Sequence, residues 1–419
     1  MRKTFHFKTD LTAKLLLPLV LACAGLALCS TTVLAQAGHL DPTFGNGGIF
    51  VLPGSNSFAT SVAIQSDGKI LVAGQVQTST GGSPAVLRLT SNGALDTSFG
   101  KSGIAVLNIP KTVLANSVIV QSDGKIVLGI SSAGADAAPI LELTRFAENG
   151  TLDSSFGSSG VAQLLRSFQS SGPQSTVLAQ QPDGKILLGG GSLLVRTNSD
   201  GSLDPGFGQN GFATLVSLGA VTVLPNGQIL VGANRYNANG SLDTSFGILG
   251  RTAGLAGISP ARLQSTGKIV AVGSVVSKVV LGQLPNFTVD TGFGLMRYNP
   301  NGSVDTTFGH QGGVITDFSS FAPFATPSDM VVELNGDIIV AGQVAKPGIN
   351  AFTPGPAFFA LARYTSSGQL DTTFGFGGKV VTSFGVSTAG ISAITLDSDG
   401  RIVAAGNTGG ITVARYLTQ

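Results

Sequence analysis

The amino-acid sequence predicts an all-β fold, a seven-bladed β-propeller of four-stranded blades whose ring is closed by an N-terminal strand completing the C-terminal blade. Three recurring signals carry that prediction. An L-D-x-x-F-G segment occurs seven times, at Leu40-Asp41, Leu95-Asp96, Leu152-Asp153, Leu203-Asp204, Leu242-Asp243, Val304-Asp305 and Leu370-Asp371. A glycine turn of the D-G-K-I kind occurs seven times, at Gly68, Gly124, Gly184, Gly227, Gly267, Gly336 and Gly400. An arginine within an apolar strand does the same, at Arg88, Arg145, Arg196, Arg235, Arg297, Arg363 and Arg415. A repeat array closes as one unit, so a chain of 419 residues need not be read as several domains.

The strands follow from the first unit. Ala59 to Ile64, Lys69 to Val76, Ala85 to Thr90 and Gly103 to Leu107 are rich in β-branched and aliphatic residues and bounded by turn residues. Asp67-Gly68 between the first two predicts a tight hairpin of type I′, which needs φ > 0 at both central residues. Glycine makes up 59 of the 419 residues, about twice the usual ~7%, as many short strands joined by tight turns require. Residues 36 to 419 divide by seven into about 55 per unit, near the ~50 of kelch-type blades.

The two ends are complementary. The last unit stops at Arg415-Tyr416-Leu417-Thr418-Gln419, without the L-D-x-x-F-G segment and strand that follow every other arginine strand. That missing piece stands near the start, as Leu40-Asp41 through Phe44-Gly45 and a strand from Gly48 to Leu52. The N-terminal strand is therefore expected beside the strand around Ile411 to Tyr416, covering an edge that would otherwise be unpaired.

Gln65 to Gly74 followed by Arg88 to Gly100 resembles the bacterial delta-60 repeat, with glycine turn, arginine strand and L-D-x-x-F-G segment in order. The resemblance implies a β-propeller of unknown function and carries over no catalytic or binding residue. The fourth unit departs from the pattern, with only six positions from Ile229 to Arg235, and the fifth and sixth units lengthen the same interval to 28 and 25.

Residues 1–35 read as a signal peptide. Arg2, Lys3, Lys8 and Lys14 precede an apolar run from Leu15 to Leu28, and Val33-Leu34-Ala35 suits cleavage. The run is shorter than the ~20 residues of a membrane span, so no span is expected once the segment is removed. Both cysteines, Cys23 and Cys29, lie in this segment, which excludes disulfides and cysteine metal sites from residues 36–419. Removing Arg2, Lys3, Lys8, Lys14 and Asp10 turns 24 basic and 22 acidic residues into 20 and 21. A balance near −1 gives no electrostatic case for nucleic acid. The expected location is exported: secreted, periplasmic or at the cell surface.

No catalytic, cofactor or metal residue emerges from the sequence. His39 and His310 are the only histidines after residue 35, and His310 holds a position occupied elsewhere by Asn46, Lys101, Ser158, Gln209, Ile248 and Phe376. Asp397 and Asp399 form a D-x-D-G run without the further ligands of a calcium loop. Spacing instead gives the repeated acids a structural use. Arg88 and Asp96, Arg145 and Asp153, Arg196 and Asp204, Arg235 and Asp243, Arg297 and Asp305, and Arg363 and Asp371 all stand eight apart, and Arg415 would find Asp41 across the closure.

What remains for function is variation between units. Residues 273–293 and 343–357 interrupt the fifth and sixth units, with Phe287, Phe293, Phe352, Phe358 and Phe359 in or beside them. These insertions are expected on one rim as binding loops, or as surface excursions without a role. The sequence accordingly favours a non-enzymatic binding or scaffolding module for an unidentified protein or glycan. The alternative is a hydrolase or lyase acting on extracellular polysaccharide through carboxylates at the central channel, which needs singular acids such as Asp136, Asp290, Asp317 and Asp329 to converge.

Overall fold

The structure, a computed structural model, describes residues 36–419 apart from 55, 80, 108–112, 134–138, 166–175, 254–259, 282–286 and 349–353. The proposed signal segment, Asp136 and Phe352 lie outside the described residues. Seven antiparallel sheets follow one another along the chain, with no helix among the described residues. In blade one the strands are Phe58–Ile64, Ile70–Thr78, Gly81–Leu89 and Ile104–Val106, in that spatial order. The first strands of successive blades touch all the way round, Gly390–Leu396 of blade seven meeting Phe58–Ile64 of blade one.

Apolar residues on these strands are nearly continuous because both faces of a blade are covered. Along the second strand of blade one, Ile70 and Val72 pack toward Val403, Ile411 and Val413 of blade seven. Their alternating neighbours Leu71 and Ala73 pack toward Val118, Ile126 and Leu128 of blade two. The core is thus distributed between blades rather than gathered at one centre, and every pair of neighbours has its own cluster.

The strand Ile49–Pro53 pairs antiparallel with Gly410–Tyr416, in a register that sets Ile49 opposite Ala414 and Pro53 opposite Gly410. It supplies the fourth strand of blade seven. Blade four differs from the rest, having Val221–Val223, Ile229–Val231 and Asn234–Tyr236 in a sheet of three. A single Asn234–Arg251 bridge stands where its fourth strand would lie. Three-residue strands joined by Gly232-Ala233 leave too little length for a longer ladder.

Two sequence expectations change in detail. The Asp67-Gly68 hairpin is not type I′, for only Gly68 has positive φ, at 81°. Gly68 N–H donates to Gln65 O, Gln65 N–H to Lys69 O, and Lys69 N–H to the Asp67 carboxylate. That is a three-residue loop with glycine in the left-handed position, and the Asp67 side chain holds it. The insertions of units five and six are strands rather than loops. They prolong the second and third strands to Ile269–Leu281 with Phe287–Tyr298, and to Ile338–Pro347 with Pro354–Tyr364. Both hairpins join the second strand to the third in adjacent blades, so the topology sends them to the same rim, opposite the glycine turns.

Candidate functional site

The repeated arginine and aspartate form one corner motif, built seven times. Asp96 follows Arg88 across a turn in which Asp96 N–H donates to Arg88 O, bringing the two side chains side by side. Arg88 Nε donates to Asp96 Oδ2 at 2.9 Å. The equivalent distances are 2.8 Å for Arg145–Asp153, Arg196–Asp204, Arg235–Asp243 and Arg415–Asp41, and 2.7 Å for Arg297–Asp305 and Arg363–Asp371. The other carboxylate oxygen binds the following loop: Asp153 Oδ1 accepts from Ser155 N–H and from its hydroxyl. Each guanidinium also lies over the buried phenylalanine of the same L-D-x-x-F-G segment, 4.3–5.0 Å from the ring centroid.

What the sequence did not reveal is the third arm of the fork. Nη1 of each arginine donates to a backbone carbonyl in the next blade: Arg88 to Glu148, Arg145 to Ser199, Arg196 to Ala238, Arg235 to Pro300, Arg297 to Ser366, Arg363 to Thr418 and Arg415 to Ser91. The glycine of each F-G adds a second tie, as when Gly100 N–H donates to Asn149 O. The corners therefore join blade to blade, and a lysine could not span these directions at once.

All seven aspartates are held below the ordinary carboxylate pKa. For Asp153 the Ser155 hydroxyl is the largest cause. For Asp305 burial is the largest and pushes upward, but Lys268, Thr307 and Arg297 together outweigh it. Each carboxylate is thus ionised, with one oxygen on its arginine and the other on the loop that follows.

The singular acids lie on three successive strands, Asp290 and Asp317 on paired strands of blade five with Asp317 opposite Gly292, and Asp329 on the first strand of blade six. Asp329, on the first strand of blade six, accepts from Arg262 of blade five at 3.1 Å and from the Ile394 amide of blade seven at 3.0 Å. Burial pushes its carboxyl up, against the pull of Arg262 and of the Ile394 and Met330 amides. Asp290 is buried in the long hairpin of blade five, opposite Lys278. Asp317 closes the outermost strand of that blade and binds Ser319. His39 and His310 are exposed in separate turns. No group of three or more His, Cys, Asp or Glu suited to a metal lies among the described residues. Arg262 went unnoticed in the sequence, although the other units carry Ala63, Ile119, Ala179, Thr222, Val331 and Thr395 at its position. A break in the repeat was the only signal.

The aromatic residues of the insertions serve packing more than display. Phe293 is fully buried against Phe318, with centroids 4.8 Å apart, and Phe359 is fully buried against Phe384. Period-two alternation in the prolonged strands turns these rings inward. Phe358 is half-buried, with Lys346 Nζ 5.6 Å above its ring, and Phe287 sits opposite Leu281 near the hairpin end. The larger opening nearby is a cleft of about 640 Å³ between blades six and seven, at the base of the blade-six hairpin.

Comparison with a family model fits this architecture. Residues 65–99, 121–156, 181–207, 224–246, 286–308 and 352–374 match the family model described as "Domain of unknown function (DUF5122) beta-propeller". These are repeats of a propeller family of unknown function. No curated protein matches the chain. Among solved structures it is similar to YCF48 from Cyanidioschyzon merolae, at 12% identity and TM-score 0.46, covering 88% of this chain and 99% of that one. It is also similar to the polysaccharide lyase Uly1, at 9% identity and TM-score 0.48, covering 93% and 94%. The soluble aldose sugar dehydrogenase of Escherichia coli matches at 10% identity and TM-score 0.44, covering 88% and 99%.

Proposed function

We propose that this chain is an exported, non-enzymatic propeller of the delta-60 repeat type that acts as a binding or scaffolding module. The observation that supports it most is the use made of the charged side chains. The seven repeat aspartates are spent on arginine forks that tie blade to blade, and of the singular acids Asp329 is held by Arg262 and Asp317 by Ser319. General acid and base work on a glycoside needs two carboxyl groups free to face one bond, whereas Asp329 is engaged by Arg262 and the Ile394 amide and Asp317 by Ser319. Two adjacent hairpins prolonged toward one rim instead suit recognition of a partner.

The test is a glycan and protein binding screen on the purified chain, run beside hydrolysis and elimination assays on the same polysaccharides. Retention of a ligand without turnover is expected. Catalytic cleavage that survives purification to homogeneity and is abolished by Asp329→Asn would overturn the reading in favour of an enzyme.

A further inference from the structure

We propose that the cleft between blades six and seven binds a neutral oligosaccharide; this rests on the binding-module reading and gives that module its site. The cleft falls within the ~300–1,000 Å³ of small-molecule sites, at about 640 Å³. Its polar lining consists of Thr326, Ser328, Gln343, Ser387, Thr388 and Asn407 together with Ser392, and none of its 13 lining residues is Asp, Glu, Lys, Arg or His. A charged ligand would leave water there without an opposite charge to receive it, whereas a ligand of hydroxyls exchanges water for like partners.

The neighbouring junctions show why a cleft persists at this one. Between blades seven and one, Asn407 follows the glycine of its second strand and seals the gap, accepting from Ala59 N–H at 2.7 Å and donating to Ala59 O at 3.4 Å. Between blades five and six, Thr291 and Ala325 exchange two hydrogen bonds of 2.9 Å. Between blades two and three, Thr176 donates to Gly129 O at 3.0 Å. Gln343 follows the glycine of its strand as Asn407 does, yet its amide reaches no backbone of blade seven. It lies over Gly390 instead, where a Cβ would come within 2.6 Å of Oε1. Among the described residues the side chains of Thr326, Ser328, Gln343, Ser387 and Thr388 have no hydrogen-bond partner, in contrast to the spent amide of Asn407.

A free carboxamide presents a donor and an acceptor side by side, the pattern that adjacent sugar hydroxyls match. Ala345, Ala357 and Ala389 add small apolar surface for the C–H face of a ring. The blade-six hairpin is held over the cleft by Ala357 N–H donating to Ser387 O, so its wall does not depend on ligand to form.

The experiment titrates the full-length protein with neutral oligosaccharides (cello-, malto- and chitin-type) and with oligogalacturonate, by calorimetry and ligand-observed NMR. Gln343→Ala and Ser387→Trp are compared with the parent, with melting temperatures recorded to show that the fold is kept. At least one neutral series binds in the expected result, weakened tenfold or more by Gln343→Ala and lost in Ser387→Trp, while oligogalacturonate neither binds nor competes. Binding of a neutral sugar that both variants leave unchanged rejects the site and spares the module. Binding of only the charged series, or of proteins alone, rejects the ligand class. Absence of any ligand in the wider screen rejects the module reading itself.

Discussion

The corner between blades one and two and the corner between blades six and seven do the same work with different pieces of chain. In the first, Arg88 and Gly100 reach Glu148 and Asn149, adjacent residues of one continuous turn. In the second, Arg363 and Gly375 reach Thr418 and Ala37, which come from opposite ends of the described chain. The turn is nevertheless reproduced. Gly38 N–H donates to Leu417 O at 2.8 Å as Gly150 N–H does to Ala147 O at 2.9 Å, and the two glycines have φ of 85° and 84°. Covalent continuity is therefore dispensable to the corner, and the positions of its acceptors are set by blade packing.

Breaking the discontinuous corner should have the largest effect. Deleting residues 36–53 removes the fourth strand of blade seven, the Asp41 partner of Arg415 and the buried Phe44. Loss of the buried partner and of the core ring costs at least about 5 kcal/mol together. The deletion is expected to unfold blade seven or lower the melting temperature by at least about 6 °C. An unchanged melting curve would show that the N-terminal strand is ornamental.

A smaller effect separates the corners from ordinary surface pairs. Arg145→Ala and Asp153→Ala should each destabilise by about 3–5 kcal/mol, because each strands a charge that is buried or nearly so, against the ~0–1 kcal/mol of an exposed pair. The double variant should fall short of additivity, as expected when one interaction is counted twice. Arg363→Ala and Asp371→Ala should behave alike if the corner of blade six is equivalent despite its split acceptors. Denaturant melts that show full additivity at either corner would sink the pairing there.

The smallest effect is on pH dependence. Each repeat aspartate has its folded pKa below the ordinary value of 3.8, so its contribution is fully present above that value and is lost as pH falls toward the folded pKa. Urea midpoints should be flat from pH 7 to about pH 5 and fall below it. Asp153→Asn should start lower and fall less steeply, and so should Asp371→Asn. Asp329 has the opposite shift, so its protonation relieves the cost of burying the charge and acts against the loss from the seven as pH falls. A parent protein equally stable at pH 3 and pH 7 would contradict the ionised corners.

Much of this architecture was legible because it is printed seven times. The eight-residue interval from Arg145 to Asp153 identified the pair, since it stays fixed while the strand-connecting segments lengthen from unit to unit. The carbonyl that completes the fork was not legible, for Ser199 lies 54 positions from Arg145 in another repeat. Likewise Phe293 and Phe359 looked like loop aromatics until the insertions proved to be strands whose alternation turns them inward. The Arg262–Asp329 pair had no spacing rule to betray it, because it occurs once and spans 67 positions.

The sequence by itself determined the number of blades, the four strands of every blade but the fourth and the partner of each arginine, because these depend on local alternation, turn chemistry and short fixed intervals. Closing seven such units into a circle decided the rest. Only in the ring do acceptors from one blade meet donors from the next, and only there does Gln343 fall short of the contact that Asn407 makes, leaving one junction open where others on that rim are sealed. The cause is geometric: contacts between units depend on how blades pack, and a repeat pattern specifies the blade more closely than the gap between two blades.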